Sequence, residues 1–200
     1  MGSIFEKRRA EALSFVKKMH SRRTRLGGKE REWHHLDRVS RILEAVLDGS
    51  DEGNQEEREN IVIAALGHDT LEDTDVTEAE IEEYFGADGL RLIQGMTNRF
   101  GDEHPEPYVR QVASAEEGVR LIKLSDLYDN CTSVTYGMAV MDAAWVEGYF
   151  LPIVRPMIAA LSTVPFETYP RAGGMLQTMV ALSYRVLLNE LDRYRDGKAD

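Results

Sequence analysis

From Gly67 to Thr74 the chain reads Gly67-His68-Asp69-Thr70-Leu71-Glu72-Asp73-Thr74, with one imidazole and three carboxylates in six consecutive residues at the end of an apolar run. Such a cluster makes a poor core and a good divalent-cation site, because an isolated buried carboxylate costs several kcal/mol unless it is paired, hydrogen-bonded or bound to metal. The run Ile61–Leu66 lacks turn residues and follows the acidic Glu56, Glu57 and Glu59, which suit the first turn of a helix. The pattern predicts one helix from about Glu56 to about Leu71. If its last turn continues, Glu72 lies one turn beyond His68 and Asp73 one turn beyond Asp69.

A cation shell needs ligands from other helices. Two stretches offer them. In Trp33-His34-His35-Leu36 a histidine at the start of a helix could turn inward with Val39 and Leu43, although a histidine there, taken alone, is more often a core or cap residue. In Leu124-Ser125-Asp126-Leu127-Tyr128-Asp129-Asn130 an aspartate follows the nearly continuous apolar run Val119–Leu124, and Asn130 sits one turn later on the same face.

The elements that would position these groups are all helical. An amphipathic helix is predicted over about Ile4 to His20, a second over about Trp33 to Leu47, and a closing one over Met175 to about Tyr194. Thr77-x-x-Glu80 and Ser114-x-x-Glu117 read as capping boxes, the first opening a short helix that stops at Gly86, the second a helix ending near Cys131. Phe100 to Pro107 reads as an irregular connection, a plain surface loop or else part of a pocket rim, and Met141 to about Leu161 as helix interrupted by Pro152 and Pro156. No period-two strand pattern appears, so the expected fold class is all-α.

Composition narrows the setting. With 200 residues, 42% hydrophobic, the chain can bury a core as one domain. No stretch approaches the roughly 18 consecutive apolar residues of a membrane span, and the early Glu6-Lys7-Arg8-Arg9 does not suit a signal peptide. The lone Cys131 fits a reducing compartment, so a cytoplasmic protein is expected. The net charge of −11 argues against nucleic-acid binding. Residues 1 to 41, however, carry 12 Lys/Arg against 5 Asp/Glu, net +7, while the remainder carries 12 against 30, net −18. The basic loop Ser21-Arg22-Arg23-Thr24-Arg25-Leu26-Gly27-Gly28-Lys29 is either a solvated surface or an anion clamp beside an acidic site.

One His, then His-Asp, then a distant Asp is the pattern of HD-domain phosphohydrolases, and the match extends further. His35 with Val39, Ile42 and Leu43 resembles the H-x-x-x-V-x-x-I-L element of RelA/SpoT-type hydrolase domains. His68-Asp69-Thr70-Leu71-Glu72-Asp73-Thr74 resembles their H-D-x-x-E-D-T, and Lys123-Leu124-Ser125-Asp126 with Asn130 their K-L-A-D-x-x-x-N. The resemblance runs from about Phe15 to Asn130 and is closest to small, stand-alone alarmone hydrolases.

It implies an HD-domain helical bundle of about eight to ten helices, with residues 1–137 as the hydrolase domain and 138–200 as a C-terminal helical extension packed on it. It further implies a (p)ppGpp 3′-pyrophosphohydrolase with Mn²⁺ held by His35, His68, Asp69 and Asp126. Glu72 and Asp73 would position and deprotonate water, and Arg22, Arg23, Arg25 and Asn130 would bind substrate. Two imidazoles and two carboxylates suit Mn²⁺ without excluding Fe, Co or Zn. The expected partner is a small nucleotide, with no nucleic acid and no membrane, and the C-terminal helices could form a homodimer contact. Rival readings are an HD phosphohydrolase for a different phosphorylated nucleotide, or a non-catalytic nucleotide-sensing HD domain. The chain departs from the family at Glu32-Trp33-His34-His35-Leu36, in the loop Arg-Thr-Arg-Leu-Gly-Gly, and at Asp129.

Overall fold

Ser3 accepts a hydrogen bond from the Glu6 backbone N–H and opens helix α1 (Ile4–Met19), which buries Ala12, Phe15 and Val16. These coordinates are a computed structural model that describes residues 3–103 and 105–196. After α1 the chain makes a small antiparallel hairpin, β1 (Thr24–Arg25) and β2 (Glu30–Arg31), pairing Thr24 with Arg31 and Arg25 with Glu30. The period-two signal cannot show in strands this short, so the otherwise helical expectation missed it. Gly27 and Gly28 close the turn with φ of 64° and 85°, which a side chain would strain.

Helix α2 (Glu32–Ser50) turns His35, Leu36, Val39, Leu43, Val46 and Leu47 inward. Asn54 caps α3 (Gln55–Leu66), whose residues Ile61–Leu66 are buried on every side. This helix ends at Leu66, five residues before the sequence-based limit. A Cβ on Gly67 would lie 2.7 Å from Ile93 and 2.8 Å from Phe85, so the chain must pass these side chains as glycine. One separate turn, α4 (Thr70–Asp73), follows. His68 and Glu72 therefore do not stack along one helix, whereas Asp69 and Asp73 keep their one-turn relation through Asp73 N–H to Asp69 C=O at 2.9 Å.

Thr77 and Glu80 form the expected capping box at the start of α5 (Glu78–Met96), a run that Gly86, non-helical with φ 76° and ψ 172°, divides into two helices, so the short first helix stops at Gly86 as the sequence indicates. Phe100 to Pro107 is not a plain surface loop: Gly101, Asp102 and Pro105 line the main cleft, and α6 (Pro105–Ala113) already begins there. The second expected capping box does not form. Ser114 donates back to the Arg110 and Gln111 carbonyls, and Glu117 accepts from the backbone N–H groups of Glu167, Thr168 and Tyr169.

Helix α7 (Glu117–Gly137) runs past Cys131 and packs against α2, α3, α5 and α6. The remaining chain comprises α8 (Ala143–Trp145), a π-helical turn over Val146–Phe150, α9 (Leu151–Leu161) and α10 (Pro170–Asp196). Both α9 and α10 pack on α7, and their buried residues join the same apolar core. The fold is all-α apart from the hairpin. Among the described residues no helix is long and apolar enough to cross a membrane.

Candidate metal centre and cleft

Three elements bring the expected ligands together. His35 comes from the first turn of α2, His68 and Asp69 from the break between α3 and α4, and Asp126 from the middle of α7. His35 Nε2 lies 3.1 Å from Asp126 Oδ1 and 3.8 Å from Asp69 Oδ2. His68 Nε2 lies 3.2 Å from Asp69 Oδ2 and 3.5 Å from Asp126 Oδ1. His34 is exposed and stacks on Trp33 with ring centroids 3.7 Å apart, so His35 alone of that pair reaches the centre.

The protonation pattern tests whether a cation fits. His68 Nδ1 is 2.8 Å from the Ala65 carbonyl, which can only accept, so Nδ1 carries the proton. Its Nε2 is buried, has no hydrogen-bond partner among the described residues, and faces two carboxylates. A lone pair against carboxylate oxygens is repulsive unless a proton or a metal ion lies between them. Burial opposes charge on His68, but Asp69 and Asp126 override it and hold the imidazole well above its ordinary value. Asp126 is likewise opposed by burial, yet Lys123 and the two imidazoles keep it well below the carboxylate range. Donors about 2.1 Å from one octahedral ion lie roughly 3 Å apart, close to the separations here. His35, His68 and Asp126 lie close enough together to share one divalent ion, and Asp69 adjoins both imidazoles.

Around this centre the charges are balanced. The half-buried Lys123 places Nζ 2.9 Å from Asp126 Oδ2, and Asn130 Nδ2 donates to Asp126 Oδ1 at 2.6 Å. The carboxylate is thus held on both oxygens. Asn130 in turn accepts from the Arg25 guanidinium, which also pairs with Glu32 at 3.8 Å. Arg23 binds Asp73, whereas Arg22 is exposed and makes no hydrogen bond or ion pair among the described residues. Two of the three expected arginines therefore reach the centre.

Glu72 lines a cleft of about 240 Å³ together with Asp69, Lys123, Asp126 and Asn130, and its Oε2 accepts from the Asn98 backbone N–H at 2.8 Å. Although Glu72 is exposed at the cleft mouth, partial desolvation of its carboxyl there and the charge of Asp69 push it up to about 7, against the pull of Asn98. Burial and Asp69 lift Asp73 to about 6, against Arg23. A second cavity, lined by Arg25, Gly27, Val134 and Trp145, meets the first at Asn130 and Phe150.

Several site residues went unnoticed in the sequence. Glu32, on the turn before His35, is buried beside His35 and Asp69 and could offer a further ligand. Its spacing of three from His35 was the available signal. Lys123 stood in the quoted motif without a role. Asp129 accepts from His35 Nδ1 at 2.7 Å. The buried His20 faces Thr70 at 3.4 Å, and burial lowers it to about 4. Tyr149, which donates to Asp102 at 2.5 Å across the cleft, comes from the π-helical turn and gave no sequence signal.

A family model described as an HD domain matches residues 12–122. The guanosine-3′,5′-bis(diphosphate) 3′-pyrophosphohydrolase of Aquifex aeolicus is 34% identical over 125 residues, which are 60% of this chain and 16% of that protein. The enzyme of the same name, MESH1, from Drosophila melanogaster is 32% identical over 124 residues, 60% of this chain and 65% of the relative. The matched part thus spans less than two thirds of either relative. A solved structure described as a metazoan ortholog of SpoT that hydrolyzes ppGpp superposes with a TM-score of 0.69 at 22% identity, over 92% of this chain and 96% of that one. At that identity the likeness speaks for the fold.

Proposed function

The chain belongs to the HD-domain family, and on that premise we propose that it is a metal-dependent hydrolase that removes the 3′-pyrophosphate of guanosine tetra- or pentaphosphate. The observation that carries this reading is the convergence of His35, His68, Asp69 and Asp126 beside a further carboxylate, Glu72, in a cleft that meets a second cavity, lined by Arg25, at Asn130. The names of the relatives supply the substrate.

Mn²⁺ is the proposed ion, held by the two imidazoles and two carboxylates; when bound it would acidify water and offset phosphoryl charge. The chain's own residues do the rest. Glu72, poised near 7, accepts a proton from the attacking water as oxygen bonds to the 3′ phosphorus, and can return it to the ribose oxygen as the P–O bond breaks. Lys123 and Asn130 keep Asp126 oriented. Arg25, with Asn130, offers donors to the nucleotide once the substrate displaces their mutual hydrogen bond, and Arg23 holds Asp73 and the hairpin against the centre. Residues 1–137 form the catalytic unit in this reading and 138–200 an extension that walls the cleft. A cytoplasmic setting and a homodimer contact through the C-terminal helices remain part of the proposal.

The test is pyrophosphate release from ppGpp, pppGpp and other 3′-phosphorylated nucleotides with Mn²⁺. Release from the first two supports the reading. Cleavage of the others alone would assign a different nucleotide, and nucleotide binding without any cleavage would make the protein a sensor.

A further inference from the structure

Asp129 stands outside the proposed ligand set, yet it is buried and spends every oxygen on neighbours. Its Oδ2 lies 2.7 Å from His35 Nδ1, 3.0 Å from Arg38 Nη2 and 3.2 Å from Ser133 Oγ, and its Oδ1 accepts from Arg38 Nε at 2.7 Å. An ionised carboxylate only accepts, so the His35 proton sits on Nδ1 and the Nε2 lone pair points at Asp69 and Asp126. Arg38 continues outward. Its guanidinium forks onto both carboxylate oxygens of Glu30, one of them at 3.1 Å, and Glu30 is the hairpin residue paired with Arg25. A second line runs from Arg25 through Asn130 to Asp126. The hairpin is thereby tied to two ligands by two separate hydrogen-bonded routes.

We propose that Asp129 is a positioning residue that fixes the ring and proton of His35, and that Arg38 and Glu30 extend this constraint so that the anion-binding hairpin and the cation centre move as one unit. The inference rests on His35 acting as a ligand. Its physical content is preorganisation: a His35 ring free to rotate, or to carry its proton on Nε2, cannot present its lone pair to a cation. Glu30, whose side chain is joined to His35 through Arg38 and Asp129, should influence cation affinity without touching the cation. The reverse also holds, because binding free energies are reciprocal: an anion seated on the hairpin should tighten the cation.

The experiment measures Mn²⁺ affinity by calorimetry on metal-depleted full-length protein, with melting temperature as the control for folding. Asp129→Ala should lower affinity by about 10- to 100-fold. Asp129→Asn, which keeps an acceptor for Nδ1 but loses the pairing with Arg38, should lie between that variant and the wild type. Glu30→Gln, on the half-buried hairpin, should lower affinity by more than about twofold at an unchanged melting temperature; a purely structural role for the network would shift melting and leave affinity alone. If Asp129→Ala does not fold, Asp129→Asn and Glu30→Gln decide the matter. Mn²⁺ bound by these variants as tightly as by the wild type overturns the inference alone. A wild type that binds no Mn²⁺ overturns the metal reading and this inference with it.

Discussion

Arg23 holds Asp73 at two points, donating to its backbone carbonyl at 2.7 Å and to its carboxylate at 2.6 Å. Among the described residues the adjacent Glu72 accepts only the Asn98 backbone N–H and keeps one oxygen for the cleft. On the proposed reading, two carboxylates that look interchangeable in the sequence would therefore have different duties: Glu72 would exchange protons with a reactant, while Asp73 would anchor the basic loop to the centre.

Glu72→Gln should reduce kcat by about 10²- to 10⁴-fold with KM and Mn²⁺ affinity nearly unchanged, the loss typical of a general base. Asp73→Asn should chiefly raise KM, because Arg23 loses its partner and the loop loosens. Steady-state kinetics of the two variants side by side would check this; equal kcat losses at constant KM would reject the division.

The Glu72 carboxyl, pushed up to about 7 in the metal-free protein, must be ionised to accept a proton, and a cation at the centre offsets the charge of Asp69 and lowers it, so with Mn²⁺ bound kcat should rise with pH and level off below about 7. Stability runs the other way. A carboxyl whose folded value exceeds its free value of 4.5 favours the fold when protonated, so its contribution is complete below about 4.5 and is lost as pH rises through about 7. In metal-depleted protein, melting temperature should fall less between pH 5 and 8 for Glu72→Gln than for the wild type.

Asp126→Ala removes a proposed ligand and also strands the half-buried Lys123, 2.9 Å from the lost oxygen. Breaking one side of a buried pair costs about 3–5 kcal/mol. Denaturant titration should show that loss, and adding Lys123→Met should restore most of the stability without restoring Mn²⁺ binding. Full stability in the single variant would mean that Lys123 finds another partner.

Gly67→Ala should cost about 1–3 kcal/mol by overpacking, since the new methyl group meets Ile93 and Phe85 at under 3 Å. The shifted turn carries His68 and Asp69, so Mn²⁺ affinity should drop in parallel. An affinity unaffected by a destabilising Gly67→Ala would show that the ligand turn relaxes independently of its packing.

The metal centre was legible because its residue types are chemically unusual where they stand. A carboxylate at Asp126 after an apolar stretch of helix, or an imidazole at His68 closing another, is costly to bury unless an opposite charge or a cation meets it. Helix existence was equally clear, since periodic burial over α1, α2 and α10 needs no tertiary information. What the sequence hid depends on packing. The end of α3 is set by Phe85 and Ile93 crowding Gly67, side chains that belong to a different helix. Glu117 looked like half of a local capping box and instead satisfies backbone donors fifty residues later. Asp129 read as a departure from a family pattern, and only the fold reveals the His35 proton beneath it. The cleft wall around Tyr149 depends on a π-helical turn, for which local propensity carries no signal.

Phe150 borders both cavities, yet it lies far along the chain from every residue of the cation centre. On the proposed reading, the bond-breaking residues stand between positions 35 and 126, and the far wall of the nucleotide's container between about 145 and 157. Apolar walls tolerate exchanges of similar volume at a cost of less than about 1.5 kcal/mol, whereas a ligand set of fixed donor types would not. A lineage carrying this fold could then drift in what it admits while staying fixed in the chemistry proposed for its centre.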